Sequence, residues 1–271
     1  MLIRLIFSFV QVPIEHFLNL TPSLQPRYYT ISSSSSVHPN RVHITVSVVD
    51  QPKPDGGVFR GVCSSFLQRL EPPMTDGDGK RMDESGDKRG AWPSCRIFVR
   101  ASSFRLPADP KTPIVMVGPG TGIAPMRALL QERSYQREHI GEASAGDNVL
   151  YFGCKNREKD FLYREELEAF QECGVLTTLH LAFSRENPKK KVYVQHLMTE
   201  RANAEVLWKL VNNQGAHVYV CGGTSMGTDV AKALVEVVKK FGGRDLGKAG
   251  AADQYVAKLK ESGRYVQELW S

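Results

Sequence analysis

The chain has 271 residues, of which 41% are hydrophobic and 24% charged, and its formal net charge is +6. These values are ordinary for a soluble globular protein and exclude collagen, a coiled coil and general disorder. The basic residues are scattered rather than gathered in one stripe, so we expect no nucleic-acid partner. None of the five cysteines forms a CxxC pair or has metal-ligand spacing, which predicts a reduced, cytoplasmic environment and no metal site.

The first 107 residues have the patterns of a β-rich region. Residues 41–50, RVHITVSVVD, alternate apolar and polar side chains and predict a half-buried strand. Residues 95–99, CRIFV, are a second strand candidate, and the charged, glycine-containing residues 71–90 between them predict a mobile loop. The apolar run over residues 1–10 is far shorter than the roughly 20 residues of a spanning helix, so we expect no membrane segment.

After residue 107 the pattern changes to short apolar runs that alternate with helical periodicity. Strands are predicted at 113–117, 148–152, 176–183 and 217–221, with helices at 124–136, 163–172, 194–200, 202–211, 226–241 and 252–262. This alternation is typical of a doubly wound parallel sheet, and therefore of an α/β fold. We predict two domains, at 1–107 and 108–271.

A glycine-rich turn, GPGTGIAP at residues 118–125, lies between a predicted strand and a predicted helix. Glycines at such a turn let backbone N–H groups approach a phosphate, and the helix N-terminus favours its charge. Neither the GxGxxG spacing nor a Walker lysine is present. A tight strand–helix turn without a ligand therefore remains the alternative.

A basic loop follows the predicted strand that ends at residue 183. It contains Ser184, Arg185, Lys191 and Tyr193, and loops at the carboxyl ends of parallel strands are where ligands bind in such sheets. An arginine, a lysine and two hydroxyls suit a phosphate better than a ribose diol, which favours NADP(H) over NAD(H). The alternative is a solvated basic loop.

Two further segments in the β-rich region have residues suited to a nucleotide cofactor. In RYYTISSSSS, Tyr29 can cover a flat ring system and Arg27 can pair with a pyrophosphate. Residues 61–67, GVCSSFL, form a glycine-led turn into a helix and are a second candidate phosphate turn. The alternative is a serine-rich loop followed by an ordinary helix.

Taken together and in this order, these segments resemble the C-terminal half of the diflavin NADPH reductases of the ferredoxin–NADP reductase superfamily, most closely the cytochrome P450 reductase type. The resemblance is carried by RYYTISS (27–33), GVCS (61–64), FRLP (104–107), GPGTGIAP (118–125), YREE (163–166), AFSRE (182–186), KVYVQH (191–196), YVCG (219–222) and LWS (269–271).

The resemblance implies an antiparallel FAD-binding β-barrel followed by an NADP(H)-binding domain. For FAD, the matching residues are Arg27, Tyr28, Tyr29 and Thr30 in the first motif, Thr45, Val46 and Ser47 beside the adenine, and Gly61, Val62, Cys63 and Ser64 at the pyrophosphate turn. For NADP(H) they are Thr121, Ser184, Arg185, Lys191, Val192, Tyr193, Val194, Gln195 and Asp229.

The resemblance also implies a catalytic set around the site of hydride transfer from NADPH to FAD. A hydroxyl, a thiol and a carboxylate correspond to Thr30, Cys221 and Glu268, and Trp270 corresponds to the aromatic residue stacked on the flavin. Two positions depart from the family pattern, because Thr30 stands where serine is usual and Glu268 where aspartate is usual. Without the resemblance, Cys221 would be interpreted as a small buried strand residue.

Only 26 residues precede the RYYT motif, so we expect a partial barrel and a C-terminal fragment. In the family, electrons continue to FMN in a flavodoxin-like domain, which we do not expect in this chain, and then to a haem protein such as cytochrome P450 on the cytosolic side of the endoplasmic reticulum. Two alternatives remain: the reductase half of a sulfite reductase or nitric oxide synthase type flavoprotein, and a truncated, non-catalytic NADP(H)-binding module.

Overall fold

The computed structural model describes residues 13–21, 23–70, 74–75, 81–82, 94–140, 146–187 and 189–270. The apolar run at 1–10 and most of the loop predicted at 71–90 lie outside these residues. Within that loop, two short paired segments are described in place of the expected continuous loop.

The elements before residue 108 are short. In chain order they are helix α1 (Ile14–Leu20), strands β1 (Asp50–Pro52) and β2 (Val58–Arg60), helix α2 (Val62–Gln68), and strands β3 (Met74–Thr75) and β4 (Arg81–Met82). Strand β1 pairs with β2 and β3 pairs with β4, both antiparallel. The antiparallel character predicted for this region is therefore confirmed, in the form of two small two-stranded sheets.

The two strands predicted from sequence in this region are wrong over most of their length. Residues 41–49 are extended but make only an isolated bridge, between Ile31 and Ile44, and residues 95–99 belong to no sheet. Val42 is 54% exposed and Ile97 is 72% exposed. A strand is stabilised by its neighbours, and no neighbouring strand lies beside these segments within the described residues.

The elements after residue 108 follow the predicted alternation. They are β5 (Ile114–Val117), a 3₁₀ turn (Gly120–Gly122), α3 (Ile123–Ile140), β6 (Asn148–Cys154), α4 (Arg157–Asp160), α5 (Arg164–Glu172), β7 (Thr178–Phe183), α6 (Val194–Thr199), α7 (Arg201–Trp208) with a π-helical extension (Lys209–Asn213), β8 (His217–Gly223), α8 (Thr224–Phe241), α9 (Gly243–Leu246), α10 (Ala251–Glu261) and β9 (Tyr265–Trp270).

These five strands form one parallel sheet in the order β7-β6-β5-β8-β9. The predicted doubly wound sheet is confirmed, and the sequence analysis missed only its last strand. Strand β9 lies at the edge and its residues become more exposed towards its end. Because Gln267 and Glu268 interrupt its apolar residues, β9 lacks the continuous apolar run that identified the central strands.

Apolar side chains cover both faces of the sheet, as expected for strands buried between helices. On one face, Val115 and Val117 pack with side chains of α6, α7, α8 and α10. On the other face, Ile114 and Met116 pack with side chains of α3 and α5. The core therefore continues through the centre of the sheet to both helix layers.

The strand order reverses between β5 and β8. From β5 the chain proceeds outward through β6 and β7, and then returns to the other side of β5 as β8 and β9. In open α/β sheets, ligands bind beside the carboxyl ends of the strands at such a point. None of the helices in the described part of the chain is both long enough and apolar enough to cross a membrane.

Candidate active site

The glycine-rich turn lies at the reversal point and is packed against β8 so closely that side chains are excluded. A Cβ on Gly118 would lie 2.4 Å from the backbone oxygen of Gly122. A Cβ on Gly122 would lie 2.1 Å from the backbone oxygen of Cys221. The turn leads directly into α3, and Thr121 is part of its 3₁₀ segment. Gly118 and Gly122 are therefore required for the tight packing of the turn, whereas a Cβ on Gly120 would meet nothing within 4 Å.

Three of the predicted catalytic residues are brought together at the carboxyl end of β8. The Thr30 hydroxyl donates a hydrogen bond to Glu268 Oε2 at 3.3 Å, across 238 residues of sequence. The Thr30 side chain also lies close enough to the Cys221 thiol to lower the pKa of that thiol. Cys221 and Glu268 occupy opposing positions on β8 and β9. The structure thus assembles the hydroxyl, thiol and carboxylate that the resemblance implied.

The thiol in this cluster is kept in its protonated form. Cys221 is fully buried, and burial, followed by the negative charge of Glu268, raises the pKa of the thiol to about 12, although the Thr30 side chain opposes the shift. At neutral pH the cluster therefore presents a neutral thiol and a hydroxyl beside a carboxylate. It provides hydrogen-bond donors and has no thiolate nucleophile.

The fourth predicted catalytic residue, Trp270, ends β9 opposite Gly223. Its side chain is 44% exposed, and its backbone oxygen accepts a hydrogen bond of 3.1 Å from the Thr224 hydroxyl. The indole is therefore at the same end of the sheet as Cys221 and Glu268, with a large apolar face left open.

The predicted 2′-phosphate loop extends from the carboxyl end of β7. The backbone N–H groups of Ser184 and Arg185 donate to the oxygens of Cys154 and Lys155, at 3.0 and 2.9 Å, which holds the start of the loop against the end of β6. The side chains of Arg185 and Lys191 are exposed, and Tyr193 is 42% exposed. Two cations and a phenol at this edge are thus accessible to an anionic ligand.

The other residues predicted to contact NADP(H) have different surroundings. Val194 is buried in the core and Val192 packs against it, so Val194 could meet a ligand only through its backbone. The Gln195 side-chain oxygen is buried without a hydrogen-bond partner in the described structure, and is therefore an acceptor available to a bound ligand. Asp229 lies 4.0 Å from Lys232 on α8.

On the FAD side, the first motif and the pyrophosphate turn are in contact. The Tyr29 phenol is hydrogen-bonded to Cys63, and the pKa of the phenol is raised to about 12, first by burial and then by this contact. The Ser64 hydroxyl accepts a hydrogen bond of 3.2 Å from the Val49 N–H. A Cβ on Gly61 would lie 2.6 Å from Ser64 Oγ. Val62 beside them is exposed.

The remaining FAD-side residues lie on more exposed backbone. Arg27 donates to the backbone oxygen of Gln25, and Tyr28 meets Phe98 edge-on at 5.8 Å between ring centroids. The Thr45 and Tyr163 hydroxyls are 2.7 Å apart. Val46 is partly buried and Ser47 is exposed.

Sequence reasoning missed Ser102, whose hydroxyl donates to the second oxygen of Glu268. Ser102 also accepts a hydrogen bond of 3.0 Å from the Phe104 N–H. Both Glu268 oxygens are thus occupied by hydroxyls from the region before residue 108. The only sequence signal was position, because Ser102 comes shortly before the FRLP motif.

These features fit the two cofactors. The glycine turn at the carboxyl end of β5, with open space beside Gly120, fits the close approach of a pyrophosphate, and the exposed cations after β7 fit a further phosphate. The Tyr29–Cys63 contact joins the two segments assigned to FAD, and the buried Gln195 oxygen still lacks a partner within the described structure.

Comparison with known families agrees with this division of the chain. A family profile described as "FAD binding domain" matches residues 3–66. A second profile, described as "Oxidoreductase NAD-binding domain", matches residues 116–232 and so includes the glycine turn, the basic loop and Cys221.

The chain is also similar to curated proteins named NADPH–cytochrome P450 reductase. Over 260 residues it is 45% identical to the protein of Mus musculus, 44% to that of Homo sapiens and 40% to that of Musca domestica. Each alignment covers 96% of this chain and 35% of the relative, so the chain spans about a third of the length of these proteins. Over nearly its whole length, the chain is therefore similar to part of the NADPH–cytochrome P450 reductases.

Proposed function

We propose that this chain is the part of an NADPH-dependent flavoprotein reductase in which NADPH reduces FAD. The observation that carries this proposal is the meeting of Thr30, Cys221 and Glu268 beside the glycine turn, because it joins the FAD-side motif to the nucleotide sheet. NADPH supplies a hydride when bound, and FAD accepts it.

The residues of the chain then have distinct tasks. The Gly118–Gly122 turn approaches the pyrophosphate of the nucleotide, and Ser184, Arg185, Lys191 and Tyr193 bind its 2′-phosphate. The neutral Cys221 thiol and the Thr30 hydroxyl remain protonated beside the Glu268 carboxylate, and together they orient the reacting rings. The half-exposed Trp270 indole would cover the flavin ring and would have to move aside to admit nicotinamide.

We place the division between the FAD-binding and NADP(H)-binding domains at residues 107 and 108. In support of this boundary, residues 94–113 contain no helix or strand, and the first strand of the sheet begins at Ile114. Just before the boundary, the Phe104 ring packs at a tilt against the Tyr219 ring with centroids 5.5 Å apart, and the Tyr219 hydroxyl donates to the Arg105 backbone oxygen.

We further propose that, in a protein as long as these relatives, electrons pass from FAD to carriers outside this chain. The relatives' name, NADPH–cytochrome P450 reductase, supports a cytochrome P450 as the final electron acceptor. The resemblance of the sequence motifs further implies FMN in a flavodoxin-like domain as the next carrier and a place at the cytosolic face of the endoplasmic reticulum. In the second candidate function, the chain binds NADP(H) without FAD. The exposed apolar side chains at residues 42–49 and 95–99 favour this alternative, because they leave the FAD side loosely packed.

An absorption spectrum of the purified chain after addition of FAD separates these two functions. A reductase should retain FAD, and NADPH should bleach the flavin band. A chain that binds NADP⁺ but remains colourless would support the second candidate and contradict the first.

Nucleotide preference tests the phosphate loop. Losing the Arg185 guanidinium should weaken NADPH binding by about tenfold to a hundredfold, since a charge-assisted hydrogen bond contributes about 1.5–3 kcal/mol. NADH binding should change little in Arg185→Ala, and Arg201→Ala on the exposed start of α7 serves as the control. An equal loss for both nucleotides would contradict the assignment.

The role of Trp270 is tested by the same pair of nucleotides. In Trp270→Ala, nicotinamide no longer competes with an indole for the flavin face, so NADH-driven flavin reduction should rise relative to NADPH-driven reduction. Trp270→Phe, which keeps an aromatic ring, should show a smaller change. An unchanged ratio in both variants would remove Trp270 from this role.

A further inference from the structure

A polar network joins the serine-rich segment after Thr30 to the nucleotide sheet. On α3, Arg127 Nη1 donates to the backbone oxygen of Ser32 at 2.7 Å. One turn later, the Gln131 side-chain oxygen accepts the Ser34 N–H at 3.0 Å. Glu132 accepts hydrogen bonds from the Ser34 and Ser36 hydroxyls. A single face of α3 thus holds the backbone that begins two residues after Thr30.

A second helix fixes the orientation of the two central side chains. Glu166 on α5 accepts Arg127 Nε at 2.6 Å through one oxygen and the Gln131 amide at 2.8 Å through the other. The Arg127 side chain is only 12% exposed and that of Glu166 29% exposed. The guanidinium is therefore held by a largely buried carboxylate and has little freedom to turn away from Ser32.

Tyr163, the residue before α5, is the third side chain of this network and contacts both Arg127 and Thr45. Its ring lies under the Arg127 guanidinium at 4.7 Å, and its hydroxyl contacts Thr45 at 2.7 Å. Tyr163 is the only residue other than glycine with a positive φ in the described chain, at 56°. Such a backbone is strained for a residue with a side chain and persists only where the surrounding contacts determine it. The contacts of Tyr163 with Arg127 and Thr45 therefore hold its backbone in one conformation.

We infer that Arg127 is a positioning residue, which with Glu166 and Tyr163 fixes the Thr30-bearing segment against the nucleotide sheet and thereby places the Thr30 hydroxyl on Cys221 and Glu268. None of the three contacts the Cys221 cluster directly in the described structure, so their effect passes through the backbone of residues 30–34. The inference rests on the proposed function for the catalytic role of Thr30, Cys221 and Glu268. The position of Thr30 against Cys221 can nevertheless be measured without flavin.

Alkylation of thiols in the full chain tests this inference. Cys221 is fully buried beside Thr30, whereas Cys154, at the end of β6, donates to the Asn156 backbone oxygen and makes no contact with residues 30–36 in the described structure. In Arg127→Met, loosening of residues 30–34 should raise the alkylation rate of Cys221 by about tenfold at pH 8, with Cys154 unchanged. Arg127→Lys, which keeps the charge, should restore part of the protection.

Hydrogen exchange gives a second readout in the same variants. Exchange at peptides covering residues 30–45 should quicken in Arg127→Met and Glu166→Gln, whereas peptides from β5 and β8 should keep the wild-type rate. The matched controls are Arg164→Met, which breaks the exposed Arg164–Glu168 pair on α5, and Glu165→Gln, one residue from Glu166. Both controls should behave as wild type.

Three outcomes would overturn the inference: an unchanged Cys221 rate, a parallel rise at Cys221 and Cys154, or an equal effect of the controls. NADP⁺ binding, measured by calorimetry on the same proteins, distinguishes a failure of the positioning role of Arg127 from a failure of the proposed function. We expect NADP⁺ affinity to stay within about twofold in every variant. Absence of NADP⁺ binding by the wild type would contradict the proposed function without bearing on the Cys221 result.

Discussion

The two regions of this molecule are held together by different kinds of contact. From Ile114 onward, apolar side chains fill both faces of a five-stranded sheet, and many are fully buried. Before Pro113, the only buried residues in the described ranges are five serines: Ser32, Ser33, Ser34, Ser64 and Ser65. The first region contacts the second through hydrogen bonds and through Phe104 and Leu106, which pack against the sheet core. Many of its other apolar side chains, such as those of Val42 and Ile97, are exposed.

This difference follows from how each kind of sheet is built. A βαβ unit brings its own covering helix, so successive units bury one another. An antiparallel barrel buries its apolar side chains only when strands distant in sequence lie side by side. The extended residues 41–49 have the alternation of a barrel strand but a single bridge, so Val42, Val48 and Val49 stay exposed.

Core truncations should give the largest contrast between the regions. Leu150→Ala in β6 removes a fully buried side chain and should lower the free energy of unfolding by about 2–5 kcal/mol. Ile97→Ala, at a position 72% exposed, should change it by less than about 0.5 kcal/mol. Urea titration followed by circular dichroism measures both. A large effect of Ile97→Ala would mean that this segment is packed.

The two glycine turns should respond differently to an added methyl group. In Gly122→Ala the new Cβ meets the backbone of β8, which cannot move aside, so we expect a loss of about 1–3 kcal/mol and weaker NADP⁺ binding. In Gly61→Ala the obstacles are the side chains of Ser64 and Val49, so the loss should be smaller. Equal losses in thermal melts would contradict the comparison.

Acid should weaken the sheet region. Burial lowers the pKa of His180 and of His217 in the folded protein, so the unfolded chain takes up protons first as the pH falls below about 6.5. Stability should be full above that pH and decline below it, by less than about 1.4 kcal/mol per pH unit for each histidine. Melting temperatures at pH 7.5 and 5.5 measure the decline, which should be smaller in His180→Gln.

Removing an exposed ion pair should change the free energy of unfolding least, and by a similar amount in both regions. Arg60→Met removes the 3.9 Å pair with Asp50 between β1 and β2, and Lys209→Met removes the 2.8 Å pair with Glu205 after α7. Each should change the free energy of unfolding by less than about 0.5 kcal/mol. A clear difference between the two variants in urea titrations would show that one pair belongs to a larger network.

Local sequence patterns were sufficient for the sheet region because each element there is identified by its own periodicity. Strand β9 was not predicted from the sequence because an edge strand needs no continuous apolar run. The meeting of Thr30, Cys221 and Glu268 could be expected only from the family resemblance. Arg127 and Glu166 could not be found from sequence, since they lie 39 residues apart on two helices and belong to no common motif.

The hydrogen bond between Thr30 and Glu268 spans 238 residues, and this separation sets the order in which the molecule can be assembled during synthesis. Strands β5 to β8 leave the ribosome and can pair before β9 is made, so the sheet and the glycine turn need not wait for the end of the chain. Cys221 is then translated without Glu268 beside it. A nascent chain should thus form its glycine turn first and the Thr30–Cys221–Glu268 cluster later, when β9 joins the edge of the sheet.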